Sequence, residues 1–87
     1  MDITELRLEL DKVDGKLIEL LEKRMDLCKQ IGEEKKKLSK PVYDKAREEE
    51  KLENVRISTQ NVEYADALSG IFTSIMDESK KLQNKVM

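Results

Sequence analysis

Apolar residues recur through the first third of the chain at Ile3, Leu6, Leu10, Val13, Leu17, Leu20, Leu27 and Ile31, with Arg24 standing in the same series. The steps alternate between three and four residues, the spacing of one continuous apolar stripe on a helix. Asp2 or Thr4 is placed to cap its start, and no proline interrupts it before Pro41. The pattern therefore predicts a first helix over about residues 2–38, although Gly15 and Gly32 each weaken it by ~1 kcal/mol relative to alanine. Such a helix is roughly 55 Å long, whereas a compact chain of this size is only about 30 Å across. The helix overhangs its own chain, and a second copy is the economical cover for the overhang.

Lys40-Pro41 ends the helix, because proline pushes the residue before it out of the α region. A second helix is expected over about residues 43–57, with Ala46, Leu52 and Val55 inward. Ser58-Thr59-Gln60-Asn61 reads as a polar connector whose last residue is a good N-cap. A third helix follows over about residues 62–85, its stripe running Val62, Ala65, Leu68, Ile71, Phe72, Ile75 and Met76, then Ser79, Leu82, Gln83 and Val86. There is no strand signal, repeat or low-complexity tract. The expected class is all-α, one domain over residues 1–87, three helices with the first very long.

Composition sharpens this. Of 87 residues 41% are charged, against roughly 25% in an ordinary globular domain. Hydrophobic residues make up 38% and aromatics 3%, so a lone chain buries only a thin core, and oligomerisation is a usual remedy. Seventeen basic and nineteen acidic side chains leave a net charge of −2, which points away from nucleic acid. The longest uncharged run, Ala67 to Met76, is half what a membrane span needs. The acidic N-terminus does not resemble a signal peptide. Histidine is absent and Cys28 is the only cysteine, which removes Ser-His-Asp and Cys-His nucleophiles and ordinary zinc sites, and a lone cysteine fits a reducing, cytoplasmic setting. Three scattered glycines cannot form a phosphate-cradling loop. Any chemistry here has to proceed without nucleophile, metal or nucleotide, and no cofactor is expected.

The informative residues are polar ones in apolar stripes. At 100° per residue, Arg24 lies within about 20° of Leu6, Val13, Leu17 and Ile31, and Lys35 falls on the same face roughly 16 Å further along. An unpaired buried cation costs several kcal/mol. Arg24 therefore either pairs with a carboxylate of a neighbouring helix, snorkels to solvent or belongs to an anion site. Met25 and Cys28 beside it read as core. Arg7 sits at the edge of the stripe about 25 Å from Arg24, too far to share a ligand within one helix, yet within approach if two such helices pair antiparallel. Asp44, Arg47, Glu48 and Lys51 share one face of the second helix, either as a solvated ladder of ion pairs or as part of a site. Ser79 and Gln83, one turn apart, either face water near a fraying end or continue the inward stripe. Of Lys35-Lys36-Lys37, only Lys35 points along the Arg24 face.

Taken together these residues describe a pocket for a small dianion, since guanidinium forks match carboxylates. Glu48 can accept a hydroxyl proton, and Lys35 and Gln83 can donate to a partly charged oxygen. In order and spacing the chain resembles the all-helical, type II chorismate mutases, shikimate-pathway enzymes. The resemblance is carried by Leu6-Arg7 with Asp14, Leu20-Leu21-Glu22-Lys23-Arg24, Ile31-Gly32-Glu33-Glu34-Lys35, Lys40-Pro41-Val42-Tyr43-Asp44, Arg47-Glu48, and Phe72 to Ser79 with Gln83. It implies an intertwined homodimer with two equivalent sites, Arg7 coming from the opposite subunit. By the same resemblance Arg7 and Arg24 bind the two carboxylates of chorismate, helped by Lys35 and Ser79, and Lys35 and Gln83 hold the ether oxygen. Glu48 and the backbone near Asp44 hold the ring hydroxyl, Arg47 lines the site and orients its carboxylates, and Ile31 packs on the substrate.

The implied reaction is the intramolecular [3,3] rearrangement of chorismate to prephenate. The catalytic residues would be Lys35, Gln83, Arg24 and Glu48, with little pH dependence across pH 6–8, because Gln83 stays neutral. The length leaves no room for a dehydratase, dehydrogenase or regulatory domain, which suggests a free-standing mutase. Two other readings share features of the sequence: an isochorismate-pyruvate lyase of the same fold, and a non-catalytic helical dimerisation module. The latter leaves Arg24 in the seam and Gln83 beyond it without a purpose.

Overall fold

The computed structural model describes residues 1–87, and they fold into three helices with no strand. The first, α1, spans Ile3–Lys37. Asp2 caps it by accepting from the Glu5 backbone N–H at 2.8 Å. Glu5 in the first turn and Lys35, Lys36 and Lys37 in the last complement the helix dipole. The helix stops because Ser39 turns left-handed, at φ 54°. The Lys40 N–H then reaches back to the Lys35 carbonyl at 2.8 Å and the Ser39 N–H to the Lys36 carbonyl at 3.2 Å. This pair of bonds is a Schellman motif, so the helix ends on its own cap before Pro41 is reached.

The second helix, α2, spans Lys45–Ser58. Asp44 lies outside it as the N-cap, accepting from the Arg47 N–H at 3.0 Å. At the far end the Thr59 hydroxyl donates to the Val55 carbonyl at 2.6 Å. Asn61 then accepts from the Glu63 N–H at 3.1 Å, but it starts a single 3₁₀ turn, Val62–Tyr64, rather than an α-helix. The third helix, α3, spans Ala65–Val86. It is the common partner of α1 and α2.

Ala46, Val62 and Ile71, expected inward, are exposed. Ala46 lies in the first turn of α2 on a face that no other element covers. Val62 sits in the 3₁₀ turn, out of register with the stripe of α3, and Ile71 lies on the edge of α3 beside the uncovered part of α1. Val55, Ala65 and Met76 are buried as the pattern predicts. Only seven residues are buried in all, and they lie where α3 meets the C-terminal half of α1 and the end of α2. The rest of α1 projects. The molecule measures 53 × 24 × 15 Å with a radius of gyration of 15.9 Å, against about 12 Å for a compact chain of this length. Every residue through Leu20 is exposed. No helix is long and apolar enough to cross a membrane.

One glycine has a packing reason. A methyl group on Gly32 would lie 2.6 Å from Val86 Cγ2, 2.9 Å from Gln83 Cα and 3.1 Å from the Gln83 carbonyl oxygen. The bare backbone of Gly32 is the seat on which α3 presents Gln83.

Candidate active site

A cleft of about 220 Å³ opens between the C-terminal half of α1, the start of α2 and the end of α3. Each wall is a helical stripe of the same rhythm. Arg24, Cys28, Ile31 and Lys35 come from α1; Asp44, Arg47, Glu48 and Lys51 from α2 and its cap; Met76, Ser79, Lys80 and Gln83 from α3. Val42, in the connector, closes the floor. Steps of three and four put all members of a stripe on one helix face, and packing on α3 turns the three faces toward each other.

The structure thus brings together Arg24, Ile31, Lys35, Asp44, Arg47, Glu48, Ser79 and Gln83. Arg7 is not among them. It lies seventeen residues before Arg24 on the same helix, about 25 Å away along the axis, and is exposed.

The cleft is strongly cationic. Arg24, Lys35, Arg47, Lys51 and Lys80 line it, with Asp44 and Glu48 as the only carboxylates, although the whole chain carries −2. Two of the five cations, Arg47 and Lys80, are tied to acids. Arg47 pairs with Glu50 at 3.0 Å on the outer surface. Glu48 pairs with Lys80 at 3.3 Å. The solvated ladder expected along Asp44, Arg47, Glu48 and Lys51 therefore does not form. The Asp44 carboxylate is engaged as the α2 cap.

Arg24 and Lys35 are different. Like Lys51 they are half-buried with no carboxylate within ion-pair distance, but unlike Lys51 each is held by neutral hydrogen-bond partners. Arg24 Nη1 donates to the Ser79 hydroxyl and, at 3.5 Å, to Cys28 Sγ; Ser79 in turn donates to the Ile75 carbonyl at 2.8 Å. Lys35 Nζ donates to the Val42 carbonyl at 2.7 Å. The pairing of Arg24 with a neighbouring helix's carboxylate, one of the sequence's open alternatives, is absent. Neutral partners fix both cations in place while leaving their charge uncompensated. Gln83 lines the same cleft from α3, 7% exposed, its Oε1 buried without a hydrogen-bond partner.

Sequence reasoning passed over Lys80 and assigned Cys28 to the core. Cys28 is buried, yet it also lines the cleft and touches Arg24. Lys80 stands four residues after Met76 and three before Gln83, the spacing that would have placed it on the same wall. Its ammonium bridges Glu48 and Asp77, each at 3.3 Å, and lies 5.0 Å from the centre of the Tyr43 ring. Hydrogen bonding to Glu48 raises its pKa above the usual 10.5, with Asp77 adding to the rise and burial opposing it.

With this geometry in view, comparison with known proteins is informative. Residues 6–84 match the family described as chorismate mutase type II. A bifunctional chorismate mutase/prephenate dehydratase from Aquifex aeolicus is 33% identical over 98% of this chain and 25% of its own length. The T-protein of Enterobacter agglomerans is 31% identical over 95% of this chain and 22% of its own length. A chorismate mutase from Methanocaldococcus jannaschii is 28% identical over 98% of this chain and 87% of its own length. The chain thus spans about a quarter of the first two relatives. A match that covers all three helices and every wall of the cleft establishes the relationship: this chain belongs to the type II chorismate mutase family.

Proposed function

We propose that the chain is a single chorismate mutase domain that converts chorismate to prephenate in aromatic amino-acid biosynthesis, working in the cytoplasm as an intertwined homodimer without a cofactor. The observation that carries this reading is the pair Arg24 and Lys35, two half-buried cations held by neutral partners in a cleft rich in positive charge. Low-dielectric walls around charge of one sign favour a small molecule of the opposite sign, and a dianion satisfies both. The single buried cysteine supports a reducing compartment.

The rearrangement breaks one C–O bond and forms one C–C bond within a single molecule, so no proton or group passes to the protein. Arg24, supported by Ser79, takes one carboxylate in a bidentate fork. Arg7 of the partner subunit takes the other. Fixing both ends folds the enolpyruvyl chain over the ring, a near-attack geometry that removes part of the barrier as entropy lost on binding. Glu48 and the Asp44 backbone hold the ring hydroxyl, Arg47 lines the site, and Ile31 packs on the ring. As the C–O bond lengthens, the ether oxygen gains negative charge, and Lys35 with the Gln83 amide N–H donates to it. Removal of one such donor costs roughly 10²–10³ in rate.

The second subunit is supported by what α1 leaves uncovered. Leu6, Leu10, Val13 and Leu17 are all about half exposed or more, and burial of each stabilises by about 1.5–3 kcal/mol. Their stripe runs into a hollow formed by Leu21, Met25, Ile71 and Ile75 on the far side of Arg24. An antiparallel α1 laid there brings its own Arg7 toward the cleft.

Loss of chorismate absorbance, with prephenate as product, tests the reaction; a folded dimer that leaves chorismate unchanged overturns it. Arg7→Ala and Arg24→Ala test the shared site. Each alone is expected to be nearly inactive. Co-refolded in equal amounts, they form mixed dimers in half the cases, each with one intact site, and recover about a quarter of the wild-type rate. No recovery would place Arg7 and Arg24 in the same site of one chain.

A further inference from the structure

The α2 helix carries Asp44, Arg47 and Glu48 to the cleft, yet it buries only Val55. Its attachment to α3 is polar at both ends. Near the connector Arg56 pairs with Asp66 at 3.0 Å, both exposed. At the cleft Glu48 pairs with Lys80, and these side chains are only 25% and 28% exposed. Lys80 is itself constrained from three directions: Glu48 across the helix gap, Asp77 one turn back on α3, and the Tyr43 ring. A lysine stem immobilised this way is a rigid strut rather than a fluctuating surface charge.

We propose that Lys80 is a positioning residue that holds the Glu48 carboxylate, and with it the first turns of α2, in the orientation the cleft requires. The inference rests on the mutase reading above and adds a residue to it. Lys80 acts through Glu48. Asp77 supplies the second acid that anchors the ammonium on α3, so Lys80 can stay fixed while one oxygen of Glu48 is engaged by a hydroxyl. The strut also explains how a carboxylate is tolerated in a site built for a dianion. Lys80 offsets its charge at contact distance, and Arg24 and Lys35 remain free of it.

Lys80→Met keeps the stem over Tyr43 and removes the charge. Its kcat/KM for chorismate is expected to fall about tenfold, whereas Lys80→Arg stays within about threefold of wild type because it can still bridge both acids. In the Glu48→Gln background the same Lys80→Met change is expected to have little further effect, since residues acting as one unit are not additive. Arg56→Met cuts the other α2–α3 tie and serves as the control. It is expected to lower the urea midpoint no more than Lys80→Met does, because both members of its pair are exposed, and to leave kcat/KM unchanged. A loss in Lys80→Met that persists undiminished without Glu48 would mean that Lys80 contacts substrate directly, and the inference fails. An equal loss of turnover in Arg56→Met would reduce Lys80 to general stability, and it fails again. Wild-type protein inert toward chorismate overturns the mutase reading itself, a result distinct from either.

Discussion

The two halves of α1 carry the same three-and-four apolar rhythm and end in opposite surroundings. From Ile3 to Leu20 no residue is covered. From Leu21 onward the helix packs on α3, with Cys28 and Gly32 buried and Arg24 and Lys35 half-buried. Periodicity thus identifies a face without saying what covers it. The two halves are told apart by their polar interruptions. The first half has none in its stripe before Arg24, as a seam between helices requires, whereas the second admits Arg24 and Lys35, which a seam would reject.

Leu17 and Ile31 put that difference to the hardest test, because they are matched: 49% and 47% exposed on one helix. If the proposed dimer buries this stripe, Leu17→Glu is expected to break it, since an unpaired charge in a buried seam costs several kcal/mol. Sedimentation velocity would show monomers, and turnover would vanish with them. Ile31→Glu is expected to leave the dimer intact and to lower kcat/KM by about 10²-fold, by setting a carboxylate against a dianion. If Leu17→Glu shifts stability by less than about 0.5 kcal/mol, as solvated surface positions do, the N-terminal half is not an interface.

Much of this contrast was legible from the chain. The three helices, the Asp2 cap and the Arg24–Lys35 face all follow from spacing and local chemistry, and the cleft gathers eight of the nine residues the sequence singled out. What was not legible depends on tertiary register. The Lys80–Glu48 pair joins residues thirty-two positions apart; spacing from Met76 and Gln83 puts Lys80 on the wall of α3, but nothing local says which acid of α2 it meets. The exposure of Ala46 and Val62 reflects which faces of α2 and of the 3₁₀ turn the other helices cover, which periodicity does not encode. Gly32 read as a weak point in a helix, because the close approach of α3 that requires it comes from elsewhere in the chain. The catalytic roles of the cleft residues follow from family resemblance, which spacing and burial alone do not supply.

Gly32 sharpens the account of the second half. In an isolated helix Gly32→Ala stabilises by ~1 kcal/mol. Here the added methyl meets the Gln83 backbone at 2.9 and 3.1 Å, and backbone cannot swing aside as the tip of Val86 can. The α3 helix is expected to shift and carry Gln83 away from Lys35, with kcat reduced about tenfold and stability lowered by about 1–3 kcal/mol. Gly15→Ala is the reference, since a methyl there meets nothing within 4 Å. Both variants gaining stability with turnover unchanged would show that the seat under Gln83 is softer than its geometry.

The smallest expected effect lies where the second half ends. Ser39 holds φ 54°, a conformation that costs a side-chain-bearing residue about 1–2 kcal/mol and glycine almost nothing. Glycine gives back part of that difference through its greater freedom when unfolded, so Ser39→Gly is expected to stabilise by about 0.5–1 kcal/mol. Turnover should stay the same, because the left-handed turn serves only to return the chain so that Val42 meets Lys35 Nζ at 2.7 Å. The check is the urea midpoint at one fixed protein concentration, since the stability of the proposed dimer would depend on concentration. A loss of stability would mean that the serine side chain, rather than the backbone bonds of Lys40 and Ser39, sustains the turn. The position of Lys35 in the cleft would then depend on a surface hydroxyl.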